Sequence, residues 1–180
     1  GQRLVQQSHL VAAPKRLLPA LQQWPGCPTN LRWIASDDPI ALSDALLNLE
    51  PDQQAVVLAS GDPLWFGIGR LLLQHLSADQ LRFHPAPTCL QLAFARIARP
   101  WQDAQWISLH GRSPEPLAAR LQQRPAALAV LTDPGRKGVE VVRRVLRASG
   151  LEDAYQFWLC ERLGAPEERV QRLAACDPLP

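Results

Sequence analysis

Short apolar runs alternate with amphipathic segments along the first hundred residues. Apolar runs bounded by turn-forming residues predict strands, and apolar positions spaced by three and four residues predict helices. Strands are predicted over 9–13, 31–36, 55–60 and 81–85, and helices from Pro14, from Pro39 with Asp38 as its N-cap, over 66–76 and over 88–97. The run AVVLAS at 55–60 is the clearest candidate for a buried strand.

A connection near residue 102 separates this series from a second one. Arg99 precedes a proline, which disfavours helical backbone at Arg99. Beyond it the pattern predicts strands over 105–110, 127–132 and 155–160, and helices over 116–123 and 138–148. Alternating strands and helices are typical of an α/β protein with a largely parallel sheet. We therefore predict two α/β lobes, residues 1–102 and 103–180.

Ligands of such sheets bind beyond the carboxyl ends of the strands. The candidate binding loops therefore begin at Ser60, Pro85, His110, Thr132 and Cys160.

The first of these loops holds a single acid between a glycine and a proline. Gly61 allows a sharp turn or the close approach of a ligand, and Pro63 suits a first helical turn. Asp62 has two interpretations, because its carboxylate can cap the following helix or accept hydrogen bonds from ligand hydroxyl or ammonium groups. Spacing alone leaves both open.

Composition excludes several classes of protein. The 180 residues are 47% hydrophobic and 20% charged, with a net charge of +2, which is typical of a globular protein. No dense basic run indicates a nucleic-acid partner. No apolar stretch reaches the roughly 18 residues that span a bilayer, and the first residues do not resemble a signal peptide. We expect a cytoplasmic protein.

The cysteines show no spacing that is typical of metal ligands. They form no Cys-x-x-Cys pair, and the four histidines are equally scattered. We predict buried free thiols and no metal site. The cysteines are Cys27, Cys89, Cys160 and Cys176.

Four segments, in order along the chain, carry a resemblance to a known family. They are ASGDPLWFGIG (59–69), PAPTCLQLAFARIARPWQDAQWISLHGR (85–112), LTDPGRKG (131–138) and CERLGAPEERV (160–170). The set resembles the tetrapyrrole methylase family, whose members carry an ASGDPLFYGIG-like run and a strand that ends in Ser-Leu-His-Gly-Arg. Within that family the chain is most similar to the CbiE/CobL branch, the precorrin-6Y (cobalt-precorrin) C5-methyltransferases of cobalamin biosynthesis.

The resemblance implies a two-lobed fold of the class III methyltransferases, which binds S-adenosylmethionine in the cleft between its lobes and usually forms a homodimer. Matched by position, one group of residues would line the methionine and ribose side of the cofactor, and a second group would lie at an adjacent loop or approach the adenine. The first group is Gly61, Asp62, Pro63, Leu64 and Phe66, and the second is Thr88, Cys89, Leu131, Thr132, Glu161 and Leu163. For Leu131 and Leu163, ordinary core packing is an equal alternative.

The chain departs from the family pattern in three places. Nothing in it matches the first strand and glycine-rich loop of the family, and the last strands of the second lobe have no counterpart. The sequence has no methionine, so we expect it to be an incomplete version of the native protein. Thr88 and Cys89 stand where two serines are usual, which puts a polar contact from Cys89 in doubt.

The implied chemistry needs few catalytic groups, because alignment of an electron-rich carbon with an electrophilic methyl group supplies most of the rate. A proton must still leave the methylated carbon, and His110 is the local candidate because imidazole titrates near neutral pH. Its alternative is a histidine satisfied at a strand end. Arg112 could bind a carboxylate of the substrate in bidentate fashion. Arg136 and Lys137 could add charge, and a solvated loop is the alternative for this pair.

The remaining alternatives divide into two classes. The first is another enzyme of the same fold, either a different precorrin methylase or a protein similar to diphthine synthase. The second is a non-catalytic module that binds a tetrapyrrole or a nucleotide. A nicotinamide-dependent enzyme is disfavoured, because no Gly-x-Gly-x-x-Gly follows the first strand. Methylation at C15 with decarboxylation would need a separate or fused partner domain, which nothing in these residues resembles.

Overall fold

Contacts between residues divide the chain into two compact units. The computed structural model describes residues 1–110, 112–133, 137–174 and 177. Unit 1 is Gly1–Ala86 and unit 2 is Pro87–Pro180. The sequence analysis placed the lobe boundary at residue 102, so residues 87–102 belong by their contacts to the second unit. The division into two lobes at residue 102 stays a prediction.

Unit 1 is built on a small parallel sheet. Its elements are α1 (Gln2–Gln6), β1 (Leu10–Ala13), α2 (Leu18–Gln22), β2 (Arg32–Ala35), α3 (Pro39–Leu47), β3 (Ala55–Val57) and α4 (Gly69–His75), followed by a 3-10 helix over Ala78–Gln80. Strand β1 lies in the centre and pairs in parallel with β2 on one edge and β3 on the other. The carboxyl ends of all three strands therefore meet at one edge of the sheet.

The core of unit 1 lies against the central strand. All four residues of β1 are buried, because neighbouring strands cover both of its edges. Leu10 and Ala12 pack with Leu42 of α3 and Leu72 of α4. The sequence analysis expected 55–60 to be the clearest buried strand. That expectation was wrong, since β3 pairs only with β1 among the described strands and is half-buried.

Helix α3 begins where the sequence predicted, and for the predicted reason. One carboxylate oxygen of Asp38 accepts the backbone N–H groups of Ile40 and Ala41, each at 3.1 Å. Pro39 occupies the first helical turn, where its missing N–H leaves no partner unsatisfied. The predicted N-cap is confirmed.

Two predicted elements of unit 1 begin late or do not form. The helix predicted from Pro14 begins at Leu18, because the carbonyl of Pro14 accepts the N–H of Leu17 at 2.8 Å in a turn. The strand predicted over 81–85 is absent from the described residues. It runs directly into Pro85 and Pro87, which have no N–H to donate to a ladder.

Among its described residues, unit 2 has two separate pairs of strands and three α-helices. Its elements are α5 (Cys89–Arg96), β4 (Ala104–Ser108), α6 (Glu115–Gln122), β5 (Ala127–Leu131), α7 (Gly138–Ala148), β6 (Phe157–Glu161) and β7 (Arg169–Leu173). Strands β4 and β5 are parallel, as predicted, whereas β6 and β7 form an antiparallel hairpin. The pattern did not predict β7, because its arginines interrupt the apolar run. The core of unit 2 includes Leu109, Leu117, Leu121, Val142, Leu146 and Leu151.

Truncation of Leu42 should destabilise unit 1 strongly, because this side chain is fully buried in the core. We expect Leu42→Ala to cost about 3 kcal/mol of unfolding free energy through the lost contacts and the cavity left behind. Leu47→Ala, on the same helix but 57% exposed, is the matched control and should cost under about 0.5 kcal/mol. Thermal unfolding measures both, and equal losses would contradict this account of the core.

Candidate functional site

The loop after β3 is fixed by the side chain of Asp62. Gly61 turns the chain with a φ of 76°, which glycine adopts without strain. One carboxylate oxygen of Asp62 then accepts the N–H of Leu64 at 2.8 Å, and the Asp62 carbonyl accepts that of Trp65 at 3.2 Å. The carboxylate therefore caps a local turn.

Asp62 does not cap helix α4. The sequence predicted a helix from Phe66, but Phe66 has a φ of 51°, and this left-handed conformation interrupts the backbone before α4 begins at Gly69. The N-cap position of α4 is Ile68, which makes no side-chain cap. The interpretation that Asp62 caps the following helix was therefore wrong. Its carboxylate accepts a backbone N–H of the preceding turn instead.

The second carboxylate oxygen of Asp62 remains available to a ligand. Asp62 is half-buried, and within the described part of the chain this oxygen has no hydrogen-bond partner. Beside it, Leu64 and Phe66 are 53% and 44% exposed. The loop therefore presents an acceptor for hydroxyl or ammonium groups next to apolar surface.

Two glycines let the loop close on itself. A Cβ at Gly67 would lie 2.5 Å from the carbonyl oxygen of Pro63, and a Cβ at Gly69 would lie 2.7 Å from the same oxygen. The N–H of Gly69 donates to that carbonyl at 2.8 Å. The GIG sequence at 67–69 therefore packs against the backbone of the loop.

Neighbouring loops of unit 1 supply polar groups that the sequence analysis did not single out. Arg16, which follows β1, donates to the hydroxyl of Ser60 at 2.8 Å. The N–H of Lys15 donates to the carboxylate of Asp37, after β2, at 2.6 Å. Parallel pairing brings these loops to one edge, so the strand order, once known, would have indicated Arg16.

In unit 2, Thr88 begins helix α5 with a reciprocal cap. Its hydroxyl oxygen accepts the N–H of Gln91 at 3.2 Å, while the Gln91 side chain accepts the N–H of Thr88 at 2.8 Å. Thr88 is buried. Because the hydroxyl oxygen of Thr88 already accepts a hydrogen bond in the cap, the Thr88 hydroxyl can serve a ligand as a donor through its O–H. At the next position, partial burial of the sulfur raises the pKa of the Cys89 thiol, which keeps it neutral at pH 7.

An apolar cavity of about 710 Å³ lies within unit 2. Its walls come from α5, α6, β5, α7 and from β6 with the turn that follows it. Four residues predicted to contact the cofactor line it, namely Cys89, Leu131, Thr132 and Leu163. The sequence offered core packing as an equal alternative for Leu131 and Leu163, and the structure gives both a cavity wall.

Glu161 is directed to a structural partner. Its carboxylate accepts from the Arg169 guanidinium across the β6–β7 hairpin, with Nε at 2.6 Å. This cross-strand ion pair occupies one carboxylate oxygen of a residue that the sequence predicted to approach a ligand. The role of Glu161 as a ligand-contacting residue stays a prediction.

The carboxyl ends of β4 and β5 bring a histidine and an acid together. Nδ1 of His110 lies 3.8 Å from the carboxylate of Asp133, and the imidazole is 72% exposed. The sequence analysis proposed His110 but not Asp133, whose position depends on the parallel pairing of the two strands. Arg112 lies exposed just beyond His110.

Several sequence-based predictions concern residues outside those that the structure describes. They are Arg136, proposed to add charge near the substrate, and Cys176, predicted to be a free thiol. The other three cysteines are free, as predicted. The prediction that they are buried was wrong, since Cys27 and Cys160 are half-buried and Cys89 is exposed.

Searches of the described residues give two further findings. They contain no group of three or more histidine, cysteine or acidic side chains arranged to hold a metal ion. Among their helices, none is both long and apolar enough to cross a membrane.

The sequence also matches a family model over nearly its whole length. The model for tetrapyrrole (corrin/porphyrin) methylases covers residues 1–175. The chain belongs to the tetrapyrrole methylase family. This confirms the family that the four segments indicated.

Curated relatives of this methylase are named as precorrin methyltransferases. It is 38% identical over 124 residues to the cobalt-precorrin-7 C(5)-methyltransferase of Salmonella typhimurium, covering 68% of this chain and 58% of that protein. It is 34% identical over 115 residues to the precorrin-6Y C(5,15)-methyltransferase (decarboxylating) of a Sinorhizobium species, covering 64% of this chain and 27% of that protein. The chain thus spans less than two thirds of the length of either relative.

A solved structure confirms the fold of the methylase. The uroporphyrin-III C-methyltransferase of Thermus thermophilus, complexed with S-adenosylhomocysteine, matches it with a TM-score of 0.65 at 22% identity, covering 97% of this chain and 80% of that one. This similarity confirms the predicted tetrapyrrole methylase fold.

Gly69→Ala tests the closure of the loop. Helix propensity predicts a gain in stability from this substitution, whereas packing predicts a loss. Propensity alone would stabilise the methylase by up to about 1 kcal/mol. The new Cβ would meet the Pro63 carbonyl at 2.7 Å and the Phe83 ring at 3.0 Å, and we expect a net loss of about 1 to 3 kcal/mol. Thermal unfolding gives the sign, and an unchanged or raised midpoint would contradict the packing account.

Proposed function

We propose that this protein transfers a methyl group from S-adenosylmethionine to the C5 meso carbon of a precorrin, of the precorrin-6Y or cobalt-precorrin-7 type, in cobalamin biosynthesis. The observation that carries the proposal is the 38% identity over 124 residues to a relative named as a C5-methyltransferase. The relative whose name adds C15 and decarboxylation is matched over only 27% of its length. We therefore assign the C5 transfer alone to these residues, with a separate or fused partner for C15.

The loop of unit 1 suits the methionine and ribose portions of the cofactor. The unpartnered oxygen of Asp62 can accept from a ribose hydroxyl or an ammonium group. Gly61 has no Cβ, so a ligand can approach its backbone closely. The exposed side chains of Leu64 and Phe66 offer apolar contact. Pro63 completes the set of residues that we propose for this contact.

Residues of unit 2 suit an adenine ring. A purine is flat and largely apolar, and the cavity that Leu131, Leu163 and Cys89 line is apolar as well. Thr132 in the lining offers a hydroxyl for a ring nitrogen, and Thr88, which precedes the lining residue Cys89, belongs to the proposed set by resemblance. Glu161 belongs to the proposed set by resemblance, although Arg169 binds its carboxylate.

When bound, S-adenosylmethionine supplies a methyl group that its sulfonium makes electrophilic. The chain contributes by orienting both reactants and excluding water, and alignment of this kind lowers a barrier by roughly 7 to 11 kcal/mol in favourable cases. For the proton that leaves the methylated carbon, His110 is the proposed acceptor. The carboxylate of Asp133, 3.8 Å from Nδ1, can orient the imidazole.

A precorrin carries several carboxylates, so cationic side chains near the site should bind it. Arg112 follows the carboxyl end of β4, close in sequence to His110, and is exposed. Lys137 begins α7 and is also exposed. We propose that Arg112 binds a propionate or acetate side chain and that Lys137 adds attraction at longer range.

Location and assembly follow the same proposal. We propose a cytoplasmic homodimer, as the family resemblance implies. The exposed apolar side chains of Ile40, Leu47 and Leu73 on α3 and α4 offer surface for a second copy. Analytical ultracentrifugation of the purified protein measures the oligomeric state.

Two measurements test the function. Incubation with S-adenosylmethionine and cobalt-precorrin-7 should yield a product heavier by one CH₂ unit, and a product without methyl at C5 would overturn the assignment. Ligand binding is tested separately by thermal unfolding with S-adenosylhomocysteine, with NAD as the control. At 100 times its Kd the true ligand stabilises the folded state by about 2.7 kcal/mol.

Asp62→Asn should weaken cofactor binding without unfolding the loop. The amide oxygen of asparagine can still accept the Leu64 N–H, whereas the negative charge that attracts ligand donors is lost. We expect the Kd for S-adenosylhomocysteine to rise about tenfold, since a charged hydrogen bond exceeds a neutral one by that order. Asp52→Asn, an exposed acid of the same unit, is the control, and equal affinities in both variants would exclude the role of Asp62.

Arg112→Ala should separate substrate binding from cofactor binding. The loss of a bidentate partner for a carboxylate is expected to raise the KM for the precorrin about tenfold. The Kd for S-adenosylhomocysteine should stay within about twofold of the unsubstituted protein. Arg3→Ala removes the same charge from the exposed face of α1. A parallel loss of both affinities in Arg112→Ala would show that this arginine does not act on the substrate.

A further inference from the structure

One carboxylate ties the turn between β6 and β7 to helix α5. One oxygen of Glu168 accepts from Nη2 of Arg96 at 3.1 Å and from the N–H of Gly164 at 2.7 Å, while its other oxygen accepts from Nε of Arg96. Arg96 is the last residue of α5. A single side chain therefore joins the end of this helix to a turn that lies far from it in sequence.

The turn has a backbone that needs such support. Arg162 has a φ of 49° and Gly164 a φ of 82°, so the chain reverses through two left-handed residues, of which only glycine is free of strain. The N–H of Ala165 closes the reversal on the Arg162 carbonyl at 2.9 Å. A Cβ at Gly164 would lie 3.6 Å from the side chain of Leu92, so the turn packs on α5.

The same two segments both contribute to the lining of the unit 2 cavity. Leu163, in the middle of the turn, lines the cavity together with Cys160 at the end of β6. Cys89 and Ala93 line it from α5. Because Glu168 binds both segments, it sets how Leu163 is placed relative to the α5 wall.

We propose that Glu168 is a positioning residue, which holds the turn over 162–164 against α5 through Arg96 and Gly164 and so fixes Leu163 in the cavity wall. Ligand affinity then depends on Glu168, although this side chain does not itself line the cavity. The proposal rests on the proposed function, in which Leu163 and Cys89 contact the cofactor.

The charge state favours this role throughout the neutral range. Hydrogen bonds from Arg96, and then from the Gly164 N–H, hold the pKa of Glu168 below its ordinary value, and Glu168 raises the pKa of Arg96. A lowered carboxyl pKa means that the stabilisation is present above the pKa of the unfolded chain and is lost as the pH falls through the folded-state pKa. Both groups are therefore charged at neutral pH.

The experiment compares Glu168→Gln with Glu152→Gln by calorimetric titration with S-adenosylhomocysteine. Glu152 forms an exposed ion pair with Arg147 in the same unit, and neither residue lines the cavity. We expect the Kd to rise about tenfold in Glu168→Gln and to change less than about twofold in Glu152→Gln. In turnover assays the KM for S-adenosylmethionine should rise while kcat stays unchanged. An unchanged Kd in Glu168→Gln would overturn the proposal.

A variant with exchanged charges distinguishes the effect of holding the turn from the effect of the ion pair alone. Arg96→Glu combined with Glu168→Arg rebuilds the pair, but a guanidinium has no acceptor for the Gly164 N–H. Affinity should therefore stay as weak as in Glu168→Gln. Recovery of the original Kd would show that the ion pair alone matters and would contradict the positioning of the turn.

Hydrogen exchange distinguishes failure of this proposal from failure of the proposed function. If the unsubstituted protein binds no S-adenosylhomocysteine, the proposed function fails, and exchange at the Gly164 amide decides the positioning role. Exchange should then be about tenfold faster in the protein with Arg96→Glu and Glu168→Arg, which has no acceptor for that N–H, than in Glu152→Gln. Equal rates in the two variants would overturn it.

Discussion

Strand β1 (Leu10–Ala13) is paired in parallel on both edges and buried throughout, and the geometry of unit 1 depends on this pairing. A central parallel strand forces its neighbours to run the same way, so the chain must cross over between them and return. The loops after β1, β2 and β3 consequently emerge together. Polar groups separated by more than forty residues, such as Arg16 and Ser60, meet because of the ladder.

Much of the fold could be predicted from local sequence, because its causes are local. Asp38 and Pro39 specify the start of α3 by their own chemistry, and Thr88 with Gln91 does the same for α5. Elements that depend on distant partners could not be predicted in this way. The most buried strand was misidentified, because burial follows from the position of a strand in the sheet order rather than from its own apolar run.

In the candidate site, too, local features could be predicted from the sequence and contacts between distant segments could not. The Asp62 loop and the family motifs were recognisable from residue types, and the comparison with known methylases confirms the family that they indicated. The contacts between Asp133 and His110 and between Glu168 and Arg96 join segments from separate elements. No periodicity indicates such pairs. The motif at 160–170 drew attention to Glu161, whereas the structure gives the larger set of contacts to Glu168.

The self-contained closure of the Asp62 loop has a consequence for how a ligand meets it. The carboxylate, the Pro63 carbonyl and the close-packed glycines at 67 and 69 fix the loop through its own backbone. The entropy lost in ordering these residues is therefore lost during folding and not again during association. If the proposed ligand binds here, it would meet a surface ordered before binding, and molecules of the wrong shape would be rejected by steric fit rather than by a failure to induce closure.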